Sequence, residues 1–227
     1  MSSPEADVMK QPATPAGHMI RTLMGIAMLS GFLVVLAYQV TKPIIAENQR
    51  RAIEAAVFKV IPDAVTRRDF VLNDQGLVAV DAQHPAEGIR IYAGYDAEGH
   101  LKGIAAPAAS QGYADTIQLL YGYDPACSCI RGIKVLKLAE TPGLGDRILT
   151  DPGFLANFKA LDASLSADGK QLANPIVTVK HGTKKHPWQI DAISGATISS
   201  KAVGRALDQS AEAVLPKVVP ELQKLSM

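Results

Sequence analysis

The feature that most constrains this 227-residue chain is an uncharged stretch over residues 22–40. As a helix rising about 1.5 Å per residue it spans roughly 28 Å, close to the hydrocarbon thickness of a bilayer. It is too long for the core of a signal peptide. Thr41-Lys42-Pro43 follows it, where a cleaved leader would show small residues. A buried core helix is the alternative, but one of this length ordinarily carries a polar face. The reading is a transmembrane helix over residues 19–41, a short tail over 1–18 with three prolines, and a helical connector over 42–62 ended by Pro62. Lys10, His18 and Arg21 precede the span and Lys42, Arg50 and Arg51 follow it, so local charge does not set its orientation.

The remainder is long enough for one compact domain. A net charge of +1 gives no electrostatic footprint for nucleic acid. The two cysteines, Cys127 and Cys129, form no disulfide framework and hold no iron–sulfur cluster unaided. Segments 88–95 and 101–106 flank Asp96-Ala97-Glu98-Gly99-His100 as a hairpin, and 117–123 and 130–138 flank the cysteine-bearing loop in the same way. A short helix is expected over 154–161, a strand over 176–180 and an amphipathic helix over 198–215, with Val203, Ala206, Leu207, Ala211 and Val214 near helical spacing. The fold class is α+β, with a twisted antiparallel sheet and packed helices over 63–215 and a C-terminal tail over 216–227.

Chemistry concentrates in Asp191-Ala192-Ile193-Ser194-Gly195-Ala196-Thr197-Ile198-Ser199-Ser200, which runs into that last helix. Small residues at 194–196 admit close approach of a bulky group. Thr197 falls at the first turn, where unpaired N–H groups and the helix dipole favour an anion. On the residues alone, an ordinary N-cap hydroxyl at Ser194, Thr197 or Ser199 explains the segment as well. Glu140-Thr141-Pro142-Gly143-Leu144-Gly145-Asp146-Arg147-Ile148 reads alone as a surface turn.

Taken together, the two segments resemble the FMN-binding domain family. In that family an aspartate precedes Ser/Thr-Gly-Ala-Thr, and the last threonine is esterified to the phosphate of FMN. Asp191, Ser194, Gly195, Ala196, Thr197 and Ser199 match this motif, and residues 140–148 resemble the loop that closes over the flavin ring. With one N-terminal span, the chain is similar to the G subunits of Rnf electron-transport complexes. The paralogous C subunits of Na+-translocating NADH:quinone reductases are the second candidate.

The resemblance implies a covalent FMN on Thr197, with Ser194, Gly195, Ala196, Glu140, Thr141, Leu144, Gly145 and Tyr113 around it. Tyr113 enters through Gln111-Gly112-Tyr113, which resembles a third family segment; a half-buried strand tyrosine is the plain alternative. The implied role is an electron relay in a membrane complex that couples ferredoxin/NAD electron transfer to ion transport. Other membrane and iron–sulfur subunits would be its partners, and a flavin transferase using FAD would install the FMN. The implied location is the bacterial inner membrane with the flavin domain on the periplasmic side. A free-standing extracytoplasmic flavin reductase and a flavin-based sensor are the rivals from other classes. No metal site and no catalytic residue of its own are expected. Gly143-Leu144-Gly145 lacks the third glycine of a dinucleotide fingerprint. The stretch Lys180-His181-Gly182-Thr183-Lys184-Lys185-His186-Pro187-Trp188 departs from the family, with one glycine missing and residues inserted. Trp188 is expected in the core or against a neighbour, with a flavin contact as the lesser option.

Overall fold

The computed structural model describes residues 16–73, 76–80 and 87–225, so the expected tail lies outside the described residues up to position 15. The chain divides between Gln49 and Arg50.

The first helix, α1, is Ala16–Val60 and runs through Pro43 without a break. Its apolar part is a candidate membrane span by length and composition, and the side chains of its most apolar window are exposed throughout. No acidic residue lies in its first turn. The Thr22, Ser30 and Thr41 hydroxyls donate back to the carbonyls of His18, Ile26 and Ala37. Such back-bonding satisfies a hydroxyl where no water is available. The rest of α1, from Arg50, belongs to the folded domain.

That domain is built on one sheet. The strands are β1 (Thr66–Asn73), β2 (Gly76–Ala79), β3 (Ile89–Tyr95), β4 (Leu101–Gln111), β5 (Thr116–Asp124), β6 (Cys129–Lys137) and β7 (Leu161–Asp162). Their order is β2-β1-β3-β4-β5-β6-β7, and every pairing is antiparallel. Alternation sorts the side chains between two cores. Ile91, Ala93, Ile104, Ala106, Leu119 and Tyr121 face one side, under the long helix α3 (Thr197–Val218). Tyr92, Ala105 and Leu120 face the other, where the end of α1 supplies Ala56, Val57 and Val60. Gly122 makes that second contact possible, because a Cβ there would collide with the Val60 carbonyl oxygen.

Both expected hairpins and the strand expected near 176–180 are present, the latter as β8 (Val177–Val179). β8 pairs in parallel with β9 (Gln189–Asp191), a small addition to the antiparallel plan. The short helix is α2 (Pro152–Ala156), capped by the Asp151 carboxylate on the Phe154 N–H at 2.9 Å and followed by a 3-10 turn at Asn157–Lys159. Strands β1 and β2 have no counterpart in the sequence reading. The residues read as a C-terminal tail are folded: α3 reaches Val218, a 3-10 turn spans Val219–Glu221, and α4 is Leu222–Leu225. Glu221 accepts the Leu77 N–H at 3.0 Å, which occupies part of the exposed edge of β2.

The cysteine-bearing loop joins β5 to β6. Cys127 and Cys129 are linked to each other, a pairing the sequence alone does not assign.

Candidate functional site

Helix α3 begins without a side-chain cap. Its N-cap position is Ala196, and Ser200 is the first residue to donate back along the helix, to the Ala196 carbonyl at 2.9 Å. The N–H groups of Thr197, Ile198 and Ser199 therefore have no intrahelical acceptor. Alanine is among the poorest N-cap residues, so this helix start is left open to an anion from outside. The preceding turn is fixed from within. Gly195 holds φ +85, where a side chain would be strained. The Ser200 hydroxyl accepts the Ile193 N–H at 3.1 Å and donates to the Ala196 carbonyl at 2.9 Å.

A cleft of about 500 Å³ opens over this helix start. Eight of the nine expected site residues line it: Tyr113, Glu140, Thr141, Leu144, Gly145, Gly195, Ala196 and Thr197. Ser194 does not; it is exposed, and its carbonyl accepts Arg147 Nη1 at 3.2 Å beside a smaller, separate cavity. Ile198 and Ser199 complete the lining. Tyr113, Leu144 and Ile198 are 69%, 51% and 51% exposed. Three large apolar side chains left open around one cleft are the surface a flat aromatic ligand would cover, and the cleft volume suits a ligand of that size.

The four hydroxyls at the helix start are not equivalent. Ser199 donates to the Glu140 carboxylate and Ser200 is committed to the turn. Among the described residues, the hydroxyls of Ser194 and Thr197 make no hydrogen bond, and of these only Thr197 lines the cleft. Thr197 is exposed at the first helical position.

Glu140 ties the site together. It is 7% exposed and accepts the Tyr113 and Ala114 N–H groups at 2.9 and 3.0 Å, in addition to the Ser199 hydroxyl. Burial pushes its carboxyl up, but the bonds from Ser199 and from the backbone of Ala114, Tyr113 and Asp115 outweigh it and hold the group below the usual glutamate value. Two glycines make room for it. A Cβ on Gly112 would lie 2.5 Å from Glu140 Oε1, and a Cβ on Gly145 would lie 2.7 Å from both Glu140 Cβ and Ser199 Oγ. The resemblance placed Gly145 beside the flavin. In the structure its missing side chain is also what lets the loop pack on Glu140 and α3.

The loop itself turns at Gly143, φ +77, with the Leu144 and Gly145 N–H groups donating to the Thr141 carbonyl at 3.2 and 3.1 Å. This turn carries Leu144 outward. Downstream, Arg147 joins the loop to the α3 turn through Ser194 and to α2 through Asp151 at 2.9 Å. Asp191 of the motif points away from the cleft; its Oδ1 accepts the Gly182 N–H at 2.7 Å, and its Oδ2 lies 3.3 Å from His181. The inserted stretch thus closes on Asp191, with Gly182 at φ +75. Asn157, which the sequence does not single out, holds the same strand. Its side chain receives the Asp191 N–H at 3.0 Å, donates to the Asp191 carbonyl at 3.1 Å and accepts Lys184 at 3.1 Å. Trp188 is half-buried and stacks on His186, with centroids 4.5 Å apart and planes 3° from parallel. It takes no part in lining the cleft.

Comparison with known proteins gives the cleft a family. Residues 112–212 match the FMN-binding domain family. The chain is 31% identical to the G subunit of an ion-translocating oxidoreductase complex of Methanosarcina acetivorans, over 86% of this chain and 92% of that one. It is 28% identical to the G subunit of the Na(+)-translocating ferredoxin:NAD(+) oxidoreductase complex of Acetobacterium woodii, over 83% and 86% of the two chains. Among solved structures, the C subunit of the Na(+)-translocating NADH-quinone reductase from Parabacteroides distasonis superposes with a TM-score of 0.56 at 20% identity, over 80% of this chain and 96% of that one, which shows a common fold. An FMN-binding domain with this sheet and this helix start, and a relative matched along nearly its whole length, place the chain in the G-subunit family of ion-translocating oxidoreductase complexes.

Proposed function

We propose that this chain is the flavin-bearing electron-relay subunit of a membrane-bound complex coupling ferredoxin/NAD electron transfer to ion transport, with FMN joined through its phosphate to Thr197. The observation that carries the reading is the selectivity among the four hydroxyls at the uncapped helix start: of Ser194, Thr197, Ser199 and Ser200, Thr197 is the one that lines the cleft, is exposed and is uncommitted. The N–H groups of residues 197–199 would hold the phosphate and the helix dipole would favour its charge. Tyr113, Leu144 and Ile198 would cover the ring system. Glu140 sets the relative positions of the three segments without offering its own oxygens to the ligand. When bound, the flavin supplies the electron-carrying chemistry. The chain's own residues anchor it, shield it and fix its orientation. The partners in this reading are the other membrane and iron–sulfur subunits, and a transferase using FAD installs the FMN.

The apolar segment of α1 anchors the domain to the inner membrane, N-terminus inside, with the flavin domain on the outer face. The Cys127–Cys129 disulfide supports that side, because such bonds persist in oxidising compartments and are rare in the cytosol. A flavin kept there has no nearby pool to replace it, and a covalent link removes loss by dissociation.

The test is Thr197→Val. The wild-type protein should show flavin fluorescence that survives denaturing electrophoresis and one FMN, less water, on the peptide containing Thr197. The variant should fold and show neither. Covalent flavin retained in the variant, or found on Ser194 or Ser199, refutes the assignment.

A further inference from the structure

The β5–β6 hairpin, at residues 124–129, holds a feature that the flavin reading does not use. Cys127 and Cys129 form a disulfide across one intervening residue, with Cα atoms 5.2 Å apart. Cys127 is exposed, while Cys129 is 4% exposed at the first position of β6.

This bond adds little to the closure of the loop. A ring over three residues removes little freedom from the unfolded chain, because the loop-closure term grows with loop length. The hairpin is also closed by other means. Asp124 pairs with Cys129 across the ladder. The Asp124 carboxylate accepts the Ala126 N–H at 2.8 Å and Arg131 Nη1 at 3.1 Å. The Ser128 carbonyl accepts the Ala163 N–H at 3.1 Å, which ties the loop to the residue after β7. With the turn fixed on both sides, the sulfurs can separate while the sheet stays paired. Exposed disulfides are the labile ones, and exchange depends on access of the attacking thiolate to a sulfur.

We propose that Cys127–Cys129 is a reversible dithiol–disulfide couple that exchanges with an external dithiol. The external thiolate attacks the sulfur of exposed Cys127. The Cys127–Cys129 bond breaks, and Cys129 leaves as a thiolate that takes up a proton. The second thiol of the external molecule then attacks the mixed disulfide, closing its own disulfide and releasing Cys127 as a thiol. Two electrons and two protons pass from the dithiol to the pair, and the reverse sequence restores it. A monothiol is the poorer partner, because Cys129, held beside Cys127 at the head of β6, expels it from the mixed disulfide. The proposal is independent of the flavin assignment.

The experiment uses the full chain in detergent, without denaturant, treated with dithiothreitol and then with a maleimide that adds mass to each free thiol. Two thiols should become labelled together within minutes. The thermal midpoint should move by no more than a few degrees, and oxidised dithiothreitol should restore the unlabelled form. Two variants test the direction of attack. Cys129→Ser, given glutathione disulfide, should accumulate a single glutathione adduct on Cys127. In Cys127→Ser, the remaining Cys129 thiol should react with the maleimide at least tenfold more slowly than Cys127 does in the other variant. Thiols that appear only through the unfolding transition, equal reactivity of the two variants, or collapse of the fold on reduction would each overturn the proposal and make the bond a structural staple.

Discussion

Replacing Glu140 tests whether one buried carboxylate organises the site. Glu140→Ala removes the acceptor for the Tyr113 N–H and the Ala114 N–H, whose bonds are part-buried, and for the Ser199 hydroxyl, whose bond is buried. Each hydrogen bond to a charged group is worth about 1.5–3 kcal/mol. Water entering the space left by the side chain recovers part of that, so the net loss should be about 3–5 kcal/mol. For a domain of this size about 1 kcal/mol moves the midpoint by about 2–4 °C, so thermal unfolding should fall by roughly 6–20 °C. Glu140→Gln keeps one acceptor oxygen and the shape, and should cost about 1–2 kcal/mol. The two also differ in pH dependence. Because the folded carboxyl lies below its ordinary value, its contribution is complete above that value and disappears as the pH falls through the folded one. Wild type and Glu140→Gln should therefore differ at neutral pH and converge in acid. Calorimetry from neutral pH to about pH 3 measures this, with covalent flavin content read in parallel. An alanine variant within about 1 kcal/mol of wild type, or a Gln variant whose deficit persists unchanged into acid, would refute Glu140 as the organising contact.

Leu144→Ala removes an exposed side chain, so stability should change by less than about 0.5 kcal/mol while the flavin potential shifts; an unchanged potential in redox titration would take Leu144 away from the ring. Gly145→Val should act through the fold instead, because its side chain meets Glu140 and Ser199, and the expected outcome is a lowered unfolding midpoint with less flavin attached. Changing Cys127 and Cys129 together to Ser should leave flavinylation and electron transfer nearly intact, as measured by in-gel fluorescence and turnover of the assembled complex. Reporters fused after Met227 should be active outside the cytoplasm and those fused at the N-terminus inside; the opposite pattern would reverse the proposed topology.

Much of the fold is legible in the sequence because its signals are local. The hairpin at 96–100 and the helix after Thr197 follow from alternation, turn residues and helical spacing. β1 is not legible: Thr66-Arg67-Arg68-Asp69 is too charged to suggest a strand, and Arg67 and Arg68 are accommodated over the rings of Tyr92 and Tyr95, which only the pairing with β3 brings near. The site is readable by resemblance, one segment at a time. What joins those segments is not, since Glu140 and Ser199 are 59 residues apart and their contact depends on two glycines admitting it. Gly145 and Gly112 look alike as turn glycines in sequence, and their shared purpose shows only in three dimensions. Asn157 offers no signal at all, because a single asparagine at the end of a short helix is commonplace until Asp191 lies against it.

The cleft draws on residues 113, 140–145 and 195–199, and its floor is the start of α3, the last long element of the chain. Strands β3 to β6 are joined in sequence by short connections and can zip up early, but none of them alone encloses the cleft. The cleft comes into being only when α3 docks. A transferase that reads this shape must act on a finished domain, whereas one that reads only the string from Asp191 to Thr197 could act on an unfolded chain. Under the proposed attachment, a shape-reading transferase would make modification a check on folding: a peptide of residues 186–205 should then be a poor acceptor beside the intact domain, and a chain that fails to seat α3 would remain colourless.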